Sequence, residues 1–335
     1  MAKPTRFAVY LEELQDPDRP LSIARLYQLS DLSRQDLAAL RATWPAIETA
    51  RRRQIMALLN EISEASFEVD FQAVAQQLGL SDDDPAVRRA AVEALWEPED
   101  PALLDEFVRL LNDDEDEAVR AAAAYALGRF VLLDELGELP RQAAGRAQQA
   151  LFAVIDEPSE PAEVLRRAIE SLGYSSDARM RAILTAAYAS PDELMRASAV
   201  FAMGRSADKR WLNIILEELE SESAPMRYEA ARAAGELEAR RAAAPLIALT
   251  TDTDPEVQEA AIWSLGEIGG SAARRRLEQL AEDEDERVAQ AADEALEYLL
   301  MTGIGAELPL LSLDEDEPEE DVDALLDDSA PEPDE

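Results

Sequence analysis

Carboxylates are the only side chains dense enough in this chain to suggest chemistry. The 335 residues include 72 Asp and Glu against 32 Lys and Arg, a net charge of −40. The acids crowd into short runs: SDDDP at 81–85, NDDEDE at 112–117 and EDEDE at 282–286. Clustered oxygens suit Ca²⁺ or Mg²⁺, but a calcium loop combines alternately spaced ligands with a central Gly and a closing Glu. That combination is absent. The runs read instead as helix starts, and neither a metal nor a cofactor is expected. With no His and no Cys, the chain has no thiol nucleophile, no Ser-His-Asp arrangement and no Cys/His zinc site. Acid–base work by Asp or Glu is what remains, and no catalytic residue stands out.

The same charge restricts partners. Nucleic-acid binding draws on Lys and Arg neutralising phosphates, so a chain this acidic is expected to bind neither nucleic acid nor anionic membrane. No stretch approaches the ~18 uninterrupted apolar residues of a spanning helix. The start, MAKPTRFAVYLEELQDPDRP, lacks the apolar core of a signal peptide, and a cytoplasmic location is the expectation.

Behind the acidic runs lies a repeat. An apolar residue follows each run at Val87, Val119, Val164, Met195, Met226, Val257 and Val288, with gaps of 32, 45, 31, 31, 31 and 31. A fixed period of this length marks stacked repeats. Four positions after each anchor stand Ala91, Ala123, Ala168, Ala199, Ala230, Ala261 and Ala292. Offset seven is always Ala or Ser, and offset eight is Leu, Met or Ala. Offsets 0, 4, 7 and 8 share one helical face, and small residues there allow helix axes to approach closely. Three residues before the anchors, Asp84, Asp116, Asp192, Ser223, Asp254 and Asp285 are suited to cap a helix N-terminus. Gly128, Gly173, Gly204, Gly235 and Gly266, at offset nine, are expected near the helix end. A second apolar-periodic stretch follows each signature helix. Each unit is thus a helical pair of 31 residues that cannot bury its own face and must stack.

The strings DDPAVRRAAVEALW, DEAVRAAAAYALG and DTDPEVQEAAIWSLG resemble the HEAT repeat, and especially the HEAT-like repeat of phycobilisome (bilin) lyases. The resemblance spans residues 45–303. It implies an all-α, right-handed α-solenoid of stacked helical pairs, a HEAT-like or armadillo-like superhelix, with the signature helices on its concave side. It also implies a hydrogen-bonded ladder between repeats from a turn Asp and an early helix Arg. Asp82 with Arg88 and Asp114 with Arg120 match that pattern. Arg196 and Arg227 follow Ser190 and Ser221 instead, and Gln258 and Ala289 replace the Arg. HEAT-like hydroxylases of related fold hold iron with His and Glu, an activity that a chain without His cannot inherit.

Three regions are expected: an N-terminal helical cap and degenerate first repeat over 1–80, about seven HEAT-like repeats over 81–303, and an acidic disordered tail over 304–335. A 14-residue insertion around 129–145 reads as two lengthened helices meeting near Pro140. Residues 314–335 hold 13 acidic and no basic residues, too little apolar surface to offset ordering. Their DVDALLDD segment reads as simply solubilising, as a docking motif, or as a partner for the Arg clusters at 51–53, 240–241 and 274–276.

Function should then lie on the face opposite the alanines. Offset six carries Glu93, Tyr125, Glu170, Phe201, Arg232, Trp263 and Glu294, with Tyr228 and Trp96 nearby. Aromatics among charges on one face either pack between neighbouring repeats or anchor a peptide or helix. The reading is a non-enzymatic protein-protein interaction scaffold, which takes another protein through a basic or amphipathic segment. The alternative implied by the resemblance is a bilin-lyase-like tetrapyrrole chaperone or isomerase.

Overall fold

The computed structural model describes residues 6–66, 68–95 and 100–302. Trp96 and the acidic stretch 304–335 lie outside the described residues. The chain divides at Met180 into two compact units, and among the described residues both are helical throughout.

The first unit opens with α1 (Arg6–Gln15), α2 (Ile23–Leu26), α3 (Arg34–Thr43), α4 (Thr49–Ala65) and α5 (Gln72–Gln77). Paired helices follow as α6 (Pro85–Glu93), α7 (Pro101–Asp113), α8 (Glu117–Glu135), α9 (Arg146–Ile155) and α10 (Ala162–Leu172). Signature helices stack on one another, α4 on α6, α6 on α8 and α8 on α10, while α7 and α9 pack against them from one side. The α7 face of Leu103, Leu104, Phe107, Leu110 and Leu111 is buried. Phe107 meets Phe130 of α8 edge-on, with ring centroids 6.2 Å apart.

Arg51 ties the opening helices down. Its guanidinium donates to the carbonyls of Leu14 (2.6 Å), Arg19 (2.8 Å) and Glu13 (3.2 Å), so it closes the C-terminal end of α1. Arg52 is buried and donates to Asp82 at 3.1 Å, and Arg53 pairs with Asp84. Arg51 and Arg52 are therefore buried in the fold, while Arg53 remains exposed beside its Asp84 partner.

The second unit comprises α11 (Arg179–Tyr188, which begins at the boundary), α12 (Glu193–Arg205), α13 (Leu212–Glu218), α14 (Ala224–Glu236), α15 (Ala243–Leu249), α16 (Pro255–Ile268), α17 (Gly270–Leu280) and α18 (Glu286–Thr302). Here α12, α14, α16 and α18 stack in sequence, and α13, α15 and α17 each pack on the helix that follows. Each unit is thus an all-α stack of helical pairs, the solenoid arrangement.

Packing follows the sequence columns. All seven offset-four alanines have 0% exposure. The caps form as well: Asp84 accepts from the N–H groups of Ala86 and Val87, Asp116 from Ala118 and Val119, and Ser223 from Met226. Satisfying these otherwise orphaned donors is worth about 1 kcal/mol per helix.

The offset-nine glycines lie near helix ends as expected: Gly204, Gly235 and Gly266 stand one or two residues inside the ends of α12, α14 and α16, and Gly173 is the C-cap of α10. Gly128 departs from this, well inside the lengthened α8. Gly128, Gly204, Gly235 and Gly266 each lie against the offset-seven residue of the next signature helix. A Cβ on Gly204 would stand 2.6 Å from the Ala233 Cα, and one on Gly266 would stand 3.0 Å from the Ala295 Cβ. Just past the ends of these helices the chain turns at positive φ, at Ala207 (φ 54°), Glu238 (φ 49°) and Gly269 (φ 61°). The insertion also differs from two lengthened helices. Only α8 grows, to 19 residues, while α9 has 10. Between them the chain turns through left-handed Gly137 and Gly145, and the Asp134 carboxylate accepts from the Gly145 N–H at 2.6 Å.

Candidate functional site

The turns between helices are built from carboxylates that face inward. In each full turn the offset −5 Asp accepts a backbone N–H two residues on: Asp82 from Asp84 (2.9 Å), Asp114 from Asp116 (3.0 Å) and Asp252 from Asp254 (2.9 Å). The Arg after the anchor then spans two repeats. Arg88 donates to the backbone carbonyl of Asp82 at 2.9 Å and, through Nε and Nη2, to the Asp114 carboxylate at 2.7 Å. Arg227 does the same with the Ser221 carbonyl (2.9 Å) and the Asp252 carboxylate (2.7 and 2.8 Å).

Residues six apart therefore meet through a carbonyl, and the ion pair reaches the next turn. Arg120 contacts the Asp114 carbonyl at 2.9 Å and, because its next turn follows the insertion, pairs with Glu160 at 3.0 Å. Arg196 bonds the Ser190 carbonyl at 3.0 Å, and the next turn offers it Ser221 in place of a carboxylate. Gln258 keeps the carbonyl bond, to Asp252 at 2.7 Å. The first rung comes from outside the repeats, where Asp82 accepts from Trp44 Nε1 at 2.6 Å and from Arg52. Asp252 and Glu160 were not singled out by sequence, although Asp252 occupies the same offset as Asp82 and Asp114.

These bonds set the acidities. The Arg227 bond, then the N–H of Asp254, hold Asp252 below the ordinary carboxylate range against the opposing effect of burial. For Asp114 burial is the largest single influence and pushes upward. The bonds to Arg88 and to the Asp116 N–H together outweigh it, and the net shift is downward. Such pairs stiffen the stack and engage the ladder carboxylates Asp114 and Asp252. Among the described residues no group of three or more Asp or Glu is placed to hold a metal. No described helix is long and apolar enough to cross a membrane.

The offset-six residues fall into separate local sets. In the first unit Glu93 is exposed, pairs with Arg89 at 3.3 Å and edges a groove of about 510 Å³ between α4 and α6. Tyr125 is exposed on α8 with the Arg167 guanidinium 5.6 Å from its ring. Glu170 is not on the surface at all. It is 5% exposed, and its carboxylate accepts from Arg167 at 2.9 Å.

In the second unit Phe201 is half-buried on α12 beneath Arg205, at 4.0 Å. Tyr228, Arg232, Trp263 and Glu294 come together, lining a groove of about 1290 Å³ along α14, α16 and α18. Arg232 lies 3.7 Å over the Trp263 ring. The groove also holds Glu256, Glu259, Glu267, Asp285, Glu286 and Arg287, so six carboxylates face two guanidiniums. Tyr298 and Glu267 complete it. Both were missed by sequence because they stand at offset ten, one helical turn beyond offset six. The Tyr298 hydroxyl bonds Glu267, which raises its pKa. Burial, partly offset by Tyr298 and Arg232, holds Glu267 above the ordinary carboxylate range.

Residues 71–145 and 212–297 match the family model described as HEAT repeats. No curated protein matches the chain. Among solved structures, human deoxyhypusine hydroxylase in complex with glycerol is 20% identical, with 88% of this chain and 96% of that chain covered at a TM-score of 0.36. The Escherichia coli protein YibA is 15% identical, with coverages of 85% and 99% and a TM-score of 0.43. A designed armadillo repeat protein in complex with the peptide (KR)4 is 21% identical, with coverages of 58% and 98% and a TM-score of 0.36. At such scores none of the three carries a function over to this chain.

Proposed function

We propose that the chain is a HEAT-repeat protein and a non-enzymatic scaffold that binds another protein through a basic or amphipathic segment. The observation that carries this reading is the groove on α14, α16 and α18. Three aromatic side chains, Tyr228, Trp263 and Tyr298, stand there among six carboxylates. Aromatic anchors supply most of the affinity in protein interfaces, each worth about 2 kcal/mol or more. A ring of like charges steers an oppositely charged segment and fixes its register. In a chain with so few aromatic residues, three in one groove are a concentrated resource. The ladder acids are spent on structure, whereas Glu256 and Glu286 at the groove carry no ion pair among the described residues.

Affinity capture of binding proteins by the full chain, compared with a Tyr228→Ala/Trp263→Ala variant that loses two of the groove's aromatics, tests the reading. Loss of one or both anchors lowers affinity by roughly 30-fold or more, and rising salt weakens capture over a screening length of about 8 Å at 0.15 M. Undiminished, salt-insensitive capture of the same proteins by the variant removes the groove from the mechanism. Visible absorbance that persists through purification would favour a tetrapyrrole ligand instead.

A further inference from the structure

We infer that Arg232 is an internal stand-in for a partner's arginine, and that the Trp263 face it covers is a guanidinium seat from which the partner displaces it. The inference rests on the proposed role of the groove and says which residue of the partner docks and what it replaces.

Three observations lead there. First, Arg232 is stacked on the ring with no ion pair or hydrogen bond among the described residues to anchor it. Its guanidinium lies 3.7 Å over Trp263, yet among the described residues it makes no ion pair or hydrogen bond, despite the carboxylates that line the same groove. Arg287, its neighbour there, behaves oppositely: it bonds Glu259 at 2.7 Å and Gln258 at 2.9 Å. Arg167, stacked on Tyr125, is also anchored, to Glu163 at 3.0 Å and Glu170 at 2.9 Å. A cation–π contact at a part-exposed site shifts an equilibrium by only about twofold to fivefold, so Arg232 is loosely clasped.

Second, the ring has a backing that the arginine lacks. One turn along α14 from Arg232, a Cβ at Gly235 would stand 2.6 Å from Trp263 Cζ3. The indole therefore packs against bare backbone, while Arg232 reaches it on a flexible stem.

Third, the surroundings complement a second guanidinium. Glu267 lines the same groove as Trp263, and its pKa, which burial holds up, would be lowered by a close new cation. A planar guanidinium can stack on the indole and pair with a carboxylate side-on, which a lysine ammonium cannot. The favoured occupant is an arginine-containing segment of another protein.

Fluorescence anisotropy of the full chain with a labelled octapeptide of alternating Arg and Ser, and with its Lys counterpart, at 0.15 M salt, tests this. Arg232→Ala frees the seat and tightens the Arg peptide about fivefold, and the Lys peptide by less. In a Trp263→Leu background, which keeps apolar bulk without the π face, that gain disappears. Arg275→Ala, on exposed α17 outside the groove, makes the same charge change and leaves affinity as it was.

Equal tightening by Arg232→Ala and Arg275→Ala overturns the inference in favour of net charge. Survival of the gain in Trp263→Leu overturns it too, as does weaker binding by Arg232→Ala. Should Trp263→Leu fail to fold by circular dichroism, the comparison of the two Arg variants still decides. Wild type that binds the Arg peptide with no response to Arg232→Ala refutes the stand-in alone. Failure of every form to bind either peptide refutes the basic-segment reading with it.

Discussion

Gly204→Ala sets two effects against each other whose sizes differ enough to decide between them. Gly204 lies within α12, and in a helix interior Ala is favoured over Gly by about 1 kcal/mol. Propensity alone predicts a more stable protein. The new methyl, however, would stand 2.6 Å from the Cα and 2.8 Å from the Cβ of Ala233 on α14. The nearer atom is backbone, so no rotamer change can relieve the contact. Restoring ordinary separation requires α12 and α14 to part by nearly an ångström, and that loosens the packing around Ala199 and Ala230, both fully buried. Overpacking of this kind costs about 1–3 kcal/mol, occasionally more, and the opened seam adds lost dispersion contacts. The expected net is a loss of about 1–2 kcal/mol. Chemical unfolding followed by far-ultraviolet circular dichroism reads it as a lower midpoint at unchanged slope. Ala207→Gly, three residues on, is the reciprocal control. Its left-handed φ of 54° burdens a side chain by about 1 kcal/mol, so glycine there is neutral or stabilising by up to ~1 kcal/mol. If Gly204→Ala proves as stable as wild type, the close-approach account of the offset-nine glycines is wrong.

Asp252→Asn should cost about 1–3 kcal/mol at pH 7 through the charge-assisted bonds to Arg227. Because the folded pKa of Asp252 lies below its unfolded value, that stability is present above about pH 4 and lost as pH falls through the folded pKa. Melting curves of the two proteins then converge on acidification, and a gap that stays constant down to pH 2 refutes the linkage. Arg51→Lys cannot reach the carbonyls of Leu14, Arg19 and Glu13 together. Hydrogen exchange should rise across 6–15 while α14 and α16 keep their protection, and unchanged exchange at 6–15 contradicts the anchoring role of Arg51.

What the sequence made legible is what stacking repeats. The alanines at offset four and the caps at offset −3 recur because every interface asks the same of them, and repetition turns a weak preference into a column. Where an interface asks the same of residues that look different, the column is hidden. Ala207, Glu238 and Gly269 all take a positive φ just past their helices, but only the glycine advertises it, and the glycines near the helix ends conceal a second use, close approach of the next helix. The ladder was legible as residue types but not as connectivity. A six-residue spacing in sequence turns out to be a carbonyl contact, and the carboxylate partner lies 25 to 40 residues away.

The candidate site is legible in the same limited sense, and for a physical reason. Arg232 and Trp263 occupy the same offset in consecutive repeats, so stacking the helices makes them neighbours. That adjacency follows from periodicity alone. Whether the arginine turns to the indole or to one of the groove's carboxylates depends on the missing side chain at Gly235, which lets the ring lie flat within reach. A small residue therefore does two jobs at once in α14. It lets α16 come close enough to build the wall, and it bares the place where the aromatic platform rests. Columns that repeat build the stack, and the residues that break repetition at offsets six and ten, Arg232, Trp263, Glu267 and Tyr298, give the groove a lining that the repeat itself does not dictate.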